Sequence, residues 1–317
     1  MSPPPTPLSG VALHDPPAGV DYTQVMVLPE SATPDSGMGF RAIAGIIMVF
    51  LGYLVGSQLL LYLGSTASWL ARGRATGFQD AYRLVVGYHV PEGIAIVDLA
   101  LACPIVIVLF VARVWNGIAA RWVISVRPGM RWVQLSICLV IGFVVLNGIY
   151  LLARGDTPWQ SAPPPNAWVW IVLVVLTAPL QAAGEEFLFR GYLQQALGAL
   201  TGRWWIAVVV SALVFAAMHG TQNLALFADR FGFGLAAGLM VVLTGGLEAS
   251  IAMHAANNVS TFSYAVIGGT LVQTRAIDQS SWTTTGVNVL SYALAGALAV
   301  LVARLLGLRR RTPKPSV

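Results

Sequence analysis

The chain has 317 residues, of which 56% are hydrophobic and only 10% charged, against roughly 25% charged in an ordinary soluble domain. A mean hydropathy of +0.73 excludes a soluble globular enzyme and points to a polytopic, all-α membrane protein, one compact bundle if each span takes about 20 residues. The net charge of +5 comes mostly from arginines that flank apolar runs, so it reads as membrane topology and not as nucleic-acid binding.

Residues 1–40 are rich in Pro, Ser, Gly and Asp and read as a disordered N-terminal tail. The transmembrane bundle follows over 41–308. Its first span starts near Arg41 and ends near Leu63, and a polar connection with Arg72, Arg74, Arg83, Asp80 and Glu92 leads to a second span over about 94–111. A third covers about 132–152. Between these two lie Arg113, Arg121, Arg127 and Arg131 with no acidic residue, the best cytoplasmic marker in the chain. Cys103 and Cys138 sit inside apolar runs and are expected as buried small hydrophobes.

A nearly neutral connection containing Pro163-Pro164-Pro165 precedes span four, which runs from Ala167 into the stretch Gly184 to Arg190. Pro179 is expected to kink it. Span five covers about 204–218 and ends on His219, and span six covers about 231–243, with Asp229 and Arg230 taken as its boundary. Gly245-Gly246 makes a tight turn into span seven, about 247–267, and span eight covers about 287–306. Residues 309–317 form a basic C-terminal tail. Eight spans put both termini on one side, with the basic loop, which predicts a multi-pass protein of the cell membrane with cytoplasmic termini.

Three polar constellations interrupt this apolar pattern. Ionisable groups inside a bilayer cost roughly 2.5–3.5 kcal/mol each on insertion scales, so they usually face a protein interior and serve a function. In the first, Glu186 and Arg190 are i and i+4 with the acid N-terminal, the favourable order for a pair. Glu185 is turned about 100° from its neighbour, free to take up a proton. The second is Phe215 to His219, and the third is His254 with Asn258, four apart on one helix face. His14 and His89 lie outside the spans and are given no role. Glu248 is read as structural or interfacial, and Asp98 as a snorkelling or paired residue.

A carboxylate, two imidazoles and an amide on separate helices form a set that can activate water and stabilise an oxyanion. Glu185 is the candidate base and then acid, His219 orients water or binds a metal, and His254 and Asn258 supply hydrogen bonds or metal ligands. Two histidines and a carboxylate are an acceptable zinc set, although the contiguous His-Glu-x-x-His arrangement is absent. A divalent metal such as zinc is therefore a candidate cofactor, with His219, His254, Asn258 and Glu185 as its ligands. A non-catalytic scaffold of the same fold and a proton-coupled transporter are the rival readings, the latter disfavoured by the lack of an inverted repeat.

The ordered triplet Glu-Glu-x-x-x-Arg, Phe-x-x-x-His and His-x-x-x-Asn, each on its own hydrophobic segment between about 168 and 260, resembles the CPBP family of intramembrane proteases. That family includes type II CAAX prenyl endopeptidases and bacteriocin-processing or self-immunity proteins. The resemblance implies Glu185 as the water-activating carboxylate, His219 as its partner, His254 and Asn258 completing the site, and Glu186 with Arg190 in support. It further implies an eight-helix core whose site opens toward the cytoplasm, and a membrane-bound peptide or protein as substrate.

Overall fold

The structure, a computed structural model, describes residues 13–27, 37–127 and 129–313. Helix α1 (Met38–Ala71) is followed by the short α2 (Phe78–Val86) and by α3 (Pro91–Leu101) and α4 (Pro104–Val114). The last two make one apolar crossing of 24 residues, broken where Pro104, lacking an N–H, opens a new helix at its first position. A short α5 (Ala120–Ile124) precedes α6 (Trp132–Arg154) and α7 (Ala167–Glu186). Beyond α7 the chain runs through a π-helical turn, Phe187–Leu193, into α8 (Gln194–Thr201) without leaving the helix axis. Then come α9 (Trp204–Ala217), α10 (Leu224–Thr244), α11 (Glu248–Gly268), the short α12 (Leu271–Arg275) and α13 (Trp282–Leu305).

Among the described residues six helical stretches are long and apolar enough to cross a membrane, and many of their large apolar side chains point outward, among them Val55, Phe110, Val144 and Leu176. Such a belt is a lipid-facing surface, and the protein is a multi-pass membrane protein. The expected eight spans are therefore approximate. The two that fall outside the six are α9, whose 14 residues reach only about 21 Å at 1.5 Å per residue, and α11, which carries Ser250, His254, Asn257 and Asn258. These are the helices that deliver the second and third motifs.

Helix α11 packs against both α6 and α7, while α10 packs against α9 and α13. With lipid outside, there is little hydrophobic gain in bringing helices together, so close approach of small residues does the work. Gly142 of α6 meets α11 so closely that a Cβ there would lie 2.9 Å from the Ala256 methyl. Gly184 plays the same part between α7 and the end of α3, where a Cβ would fall 2.5 Å from the Leu101 carbonyl oxygen and 2.7 Å from Ala102 Cα.

Residues 13–27 correct the expectation of a disordered tail. Asp21 Oδ1 caps the 3-10 turn Tyr22–Gln24 by accepting from the Thr23 amide at 2.8 Å. Tyr22 and Val25 are fully buried, and the Tyr22 hydroxyl donates to the Val123 carbonyl. Thr312 N donates to Val20 O at 2.9 Å, so part of the basic C-terminal tail is pinned as well. The physical reason is a local apolar cluster, Tyr22, Val25 and Met26, hidden inside a segment whose average composition is polar. Residues 1–12, 28–36 and 314–317 of the expected tails lie outside the described residues.

One further reading changes and one holds. Asp229 and Arg230 do not mark a boundary: α10 begins earlier, at Leu224, where Asn223 Oδ1 accepts from the Leu226 amide at 2.9 Å as an N-cap. The Gly245-Gly246 turn forms as expected, with Gly245 at φ +76° and its carbonyl accepting from Val126 N at 2.9 Å.

Candidate active site

The two adjacent carboxylates of α7 occupy different environments. Glu186 is fully buried, and its Oε1 accepts from Arg190 Nη1 at 2.9 Å and from His254 Nδ1 at 2.8 Å. Arg190 is equally buried. Its Nη2 donates to the Gly234 carbonyl at 3.3 Å, and its guanidinium carbon lies 4.6 Å from the Phe215 ring centre and 5.8 Å from that of Phe233, a cation held on aromatic faces. The charge pair is thus closed off from solvent and lipid alike, with a π-helical turn beginning just past Glu186, a distortion common at functional sites.

Glu185, rotated away from this pair, keeps 13% of its side chain exposed and lines a cavity of ≈ 380 Å³ together with His219, His254 and Asn258. All four residues expected to carry catalysis therefore meet in one space. Glu185 Oε2 faces His254 Nε2 at 3.6 Å. His254 thereby bridges the two acids, one on each ring nitrogen.

His219 stands just beyond the C-terminal end of α9, where its Nδ1 donates to the Phe215 carbonyl at 2.8 Å. A carbonyl can only accept, so Nδ1 carries the proton and, in the neutral ring, Nε2 is left as an acceptor. Asn258 follows His254 by one turn of α11. Its Nδ2 donates to Gln181 Oε1 at 2.6 Å and its Oδ1 accepts from Asn257 at 3.1 Å.

Gln181, on the turn of α7 before Glu185, is a site residue that the sequence reading missed. It accepts from Asn258 and donates to Glu185 Oε1 at 2.5 Å, tying the first motif to the third. The available signal was its spacing, four residues before Glu185 and on the same helix face.

The remaining polar residues divide between the cavity and the frame. Asp98 accepts from the Thr177 hydroxyl at 2.7 Å and lines the cavity with Asp229 and Arg230. Asp229 is held by Asn288 Nδ2 at 2.6 Å and the Tyr292 hydroxyl at 3.2 Å, and Arg230 donates to Gln222 Oε1 at 2.7 Å. Glu248 is structural, as expected: it is fully buried and paired with Arg131, Nη2 to Oε2 at 2.6 Å.

Each histidine turns its Nδ1 to an oxygen acceptor, the arrangement that orients metal-binding imidazoles. Among the described residues no three side chains of His, Cys, Asp or Glu are grouped so as to hold a metal ion, and the amide of Asn258 is engaged by Gln181 and Asn257. No step below is routed through a metal.

The wall of the cavity includes Tyr88, Thr274, Arg275 and Ile277, which belong to the α2–α3 and α11–α13 connections, and Leu226 in the first turn of α10, all at the end of the bundle opposite the arginine-rich loop.

Comparison with known proteins agrees with the motifs. Residues 164–260 match the family described as type II CAAX prenyl endopeptidase Rce1-like, a segment that contains Glu185, Glu186, Arg190, His219, His254 and Asn258. An uncharacterized protein of Bacillus subtilis (strain 168), YyaK, is 27% identical over 148 residues, covering 44% of this chain and 50% of that protein. The chain thus spans about half the length of this curated relative.

Proposed function

We propose that the protein is an intramembrane endopeptidase that hydrolyses a peptide bond of a membrane-associated polypeptide with a water activated by Glu185. The observation that carries this reading is the division of labour between neighbouring acids. Glu186 is neutralised by Arg190 and His254, while Glu185 faces a cavity that also receives both histidines and Asn258. A scaffold needs the first arrangement and has no use for the second.

In this mechanism a water sits between Glu185 Oε2 and the acceptor nitrogen of His219. Glu185 takes one proton as the water oxygen attacks the scissile carbonyl carbon. The carbonyl π electrons move onto oxygen, and the N–H of Asn258 not used on Gln181 is the donor available to that oxyanion. Collapse of the tetrahedral intermediate breaks the C–N bond, and Glu185 returns its proton to the leaving amine. His254 holds Glu186 on one side and flanks Glu185 on the other, fixing the carboxylate's position. The Rce1-like match supports peptide hydrolysis as the reaction class.

The test is a comparison of native membranes carrying the wild type, Glu185→Gln or His219→Ala by sequencing of newly formed peptide termini. Fragments that disappear in both variants are the expected result. Unchanged cleavage in both, with the proteins folded and present, would falsify the hydrolase reading.

A further inference from the structure

The charges at the two ends of the bundle are unequal. At one end Arg113, Arg121, Arg127 and Arg131 surround α5, and the basic segment after α13 lies against them: a Cβ on Gly245 would meet both Val126 Cγ2 and Arg310 Cα within 3 Å. The backbone of Arg311 pairs with that of Asp21 in an isolated antiparallel β-bridge at the same end. Among the described residues the acids there are Asp15, Asp21 and Glu248, and Glu248 is consumed by Arg131.

At the opposite end the balance is nearly neutral. Arg72 pairs with Glu92 at 2.7 Å, Arg83 lies 3.4 Å from Asp80, and Arg154 and Arg275 are accompanied by Asp156 and Asp278. The connections of this end bond to one another, Ala162 N to Ile267 O at 3.1 Å and Asn223 N to Asp278 O at 2.8 Å. Arginine bias sets the orientation of a membrane protein, with the richer side cytoplasmic.

The mouth of the catalytic cavity belongs to the neutral end. Tyr88, Thr274, Arg275 and Ile277 line it, with the Arg275 guanidinium 5.6 Å from the Tyr88 ring centre, and among the described residues none of the arginine-rich connections contributes to its wall. We propose that the site is reached from the extracytoplasmic side of the membrane, and that its substrate is a membrane-bound or exported polypeptide presenting an unfolded stretch there. This rests on the hydrolase reading for the word substrate and on geometry alone for the side.

Depth sets the length of that stretch. Fourteen residues of α11 separate His254 from Gly268 at the neutral end, about 21 Å at 1.5 Å per residue. An extended chain advances 3.2–3.4 Å per residue, so roughly six unfolded residues must enter before a peptide bond reaches His254. A polypeptide confined to the cytoplasm does not reach a site entered from that side.

A membrane-impermeant, charged maleimide added to intact cells tests the side without reference to activity. Arg275→Cys at the mouth and Asp278→Cys in the adjoining loop are expected to label in intact cells, and Arg310→Cys only after permeabilisation. Wild type, whose Cys138 is buried and whose Cys103 is partly so, gives the background. Labelling of Arg310→Cys from outside, or of Asp278→Cys only after permeabilisation, overturns the proposal. The same pattern in a Glu185→Gln background separates the question of side from that of hydrolysis.

Discussion

His254 Nδ1 donates to Glu186 Oε1 at 2.8 Å across the interface between α11 and α7, two residues 68 positions apart in the chain. Because an imidazole is rigid, that bond also fixes Nε2, which faces Glu185 Oε2 at 3.6 Å. A buried carboxylate thus aims the ring at its catalytic neighbour, and the two acids are predicted to fail in different ways.

Glu185→Gln keeps the shape and the bond to Gln181 but removes the proton acceptor. A positioned general base typically contributes 10²–10⁴-fold, so fragment formation is expected to fall by at least about a hundredfold while the thermal melt in detergent stays near that of wild type. Glu186→Gln is expected to lower both, because Arg190 then lacks its counter-charge. Parallel melting and cleavage assays check the contrast, and a normal melt for Glu186→Gln would contradict the neutralising role.

Arg190→Ala leaves Glu186 buried without its cation. Removing one partner of a buried pair costs about 3–5 kcal/mol, a large part of a typical folding stability of about 5–15 kcal/mol. The variant is expected to be poorly recovered from membranes. The double variant Glu186→Gln with Arg190→Met, which removes both charges and keeps an acceptor for His254, is expected to regain much of the melting temperature. No recovery in the double variant would show that Arg190 matters for its aromatic packing instead.

Much of this frame is legible in the sequence alone. The Glu186–Arg190 pair follows from i,i+4 spacing, the long helices from apolar runs, and the gathering of Glu185, His219, His254 and Asn258 from the cost of placing polar groups in a membrane. What sequence could not show depends on contacts between distant segments. Arg131 reaches Glu248 across 117 positions, so each looked unpaired on its own. Tyr22 finds a partner in Val123, which turned a tail into part of the core. The end at which the cavity opens depends on which connections are left apart by packing, and no local pattern encodes that.

Gly184→Ala probes the contact that lets α7 approach the break between α3 and α4. The added methyl meets backbone atoms, Leu101 O at 2.5 Å and Ala102 Cα at 2.7 Å, and backbone yields less readily than a flexible side chain. Overpacking of this kind costs about 1–3 kcal/mol. The neighbouring Glu185 and Glu186 must shift with the helix, so cleavage is expected to fall more than stability does. Equal losses in the two assays would place the strain elsewhere.

Arg131→Ala removes the partner of Glu248, neither residue lining the catalytic cavity, and it strips the Thr244 carbonyl of its donor at 2.8 Å. The side chains of this pair are 9% and 0% exposed, so the loss is that of a buried pair, about 3–5 kcal/mol. Cleavage per folded molecule is expected to stay unchanged, because none of the cavity residues touches this pair. Activity normalised to the folded fraction, measured well below the melting temperature, distinguishes this outcome from a catalytic role for Glu248.

Gln181→Leu separates positioning from chemistry. The glutamine touches no reacting atom in the proposed mechanism, yet it donates to Glu185 at 2.5 Å and accepts from Asn258 at 2.6 Å, holding the base and the amide donor in one register. Leucine has similar bulk and removes both bonds, leaving Asn258 Nδ2 free to rotate and Glu185 free to swing into the cavity. Misplacement by about 1 Å can cost a hundredfold, so a loss of between about 10-fold and 100-fold is expected. The loss should fall on kcat more than on KM, because the substrate's own contacts are untouched. Gln181→Glu restores an acceptor for Asn258 but faces Glu185 with a like charge, and it is expected to recover less than Gln181→Asn paired with a normal melt. A fall in KM-derived affinity with kcat intact would instead assign Gln181 to substrate binding.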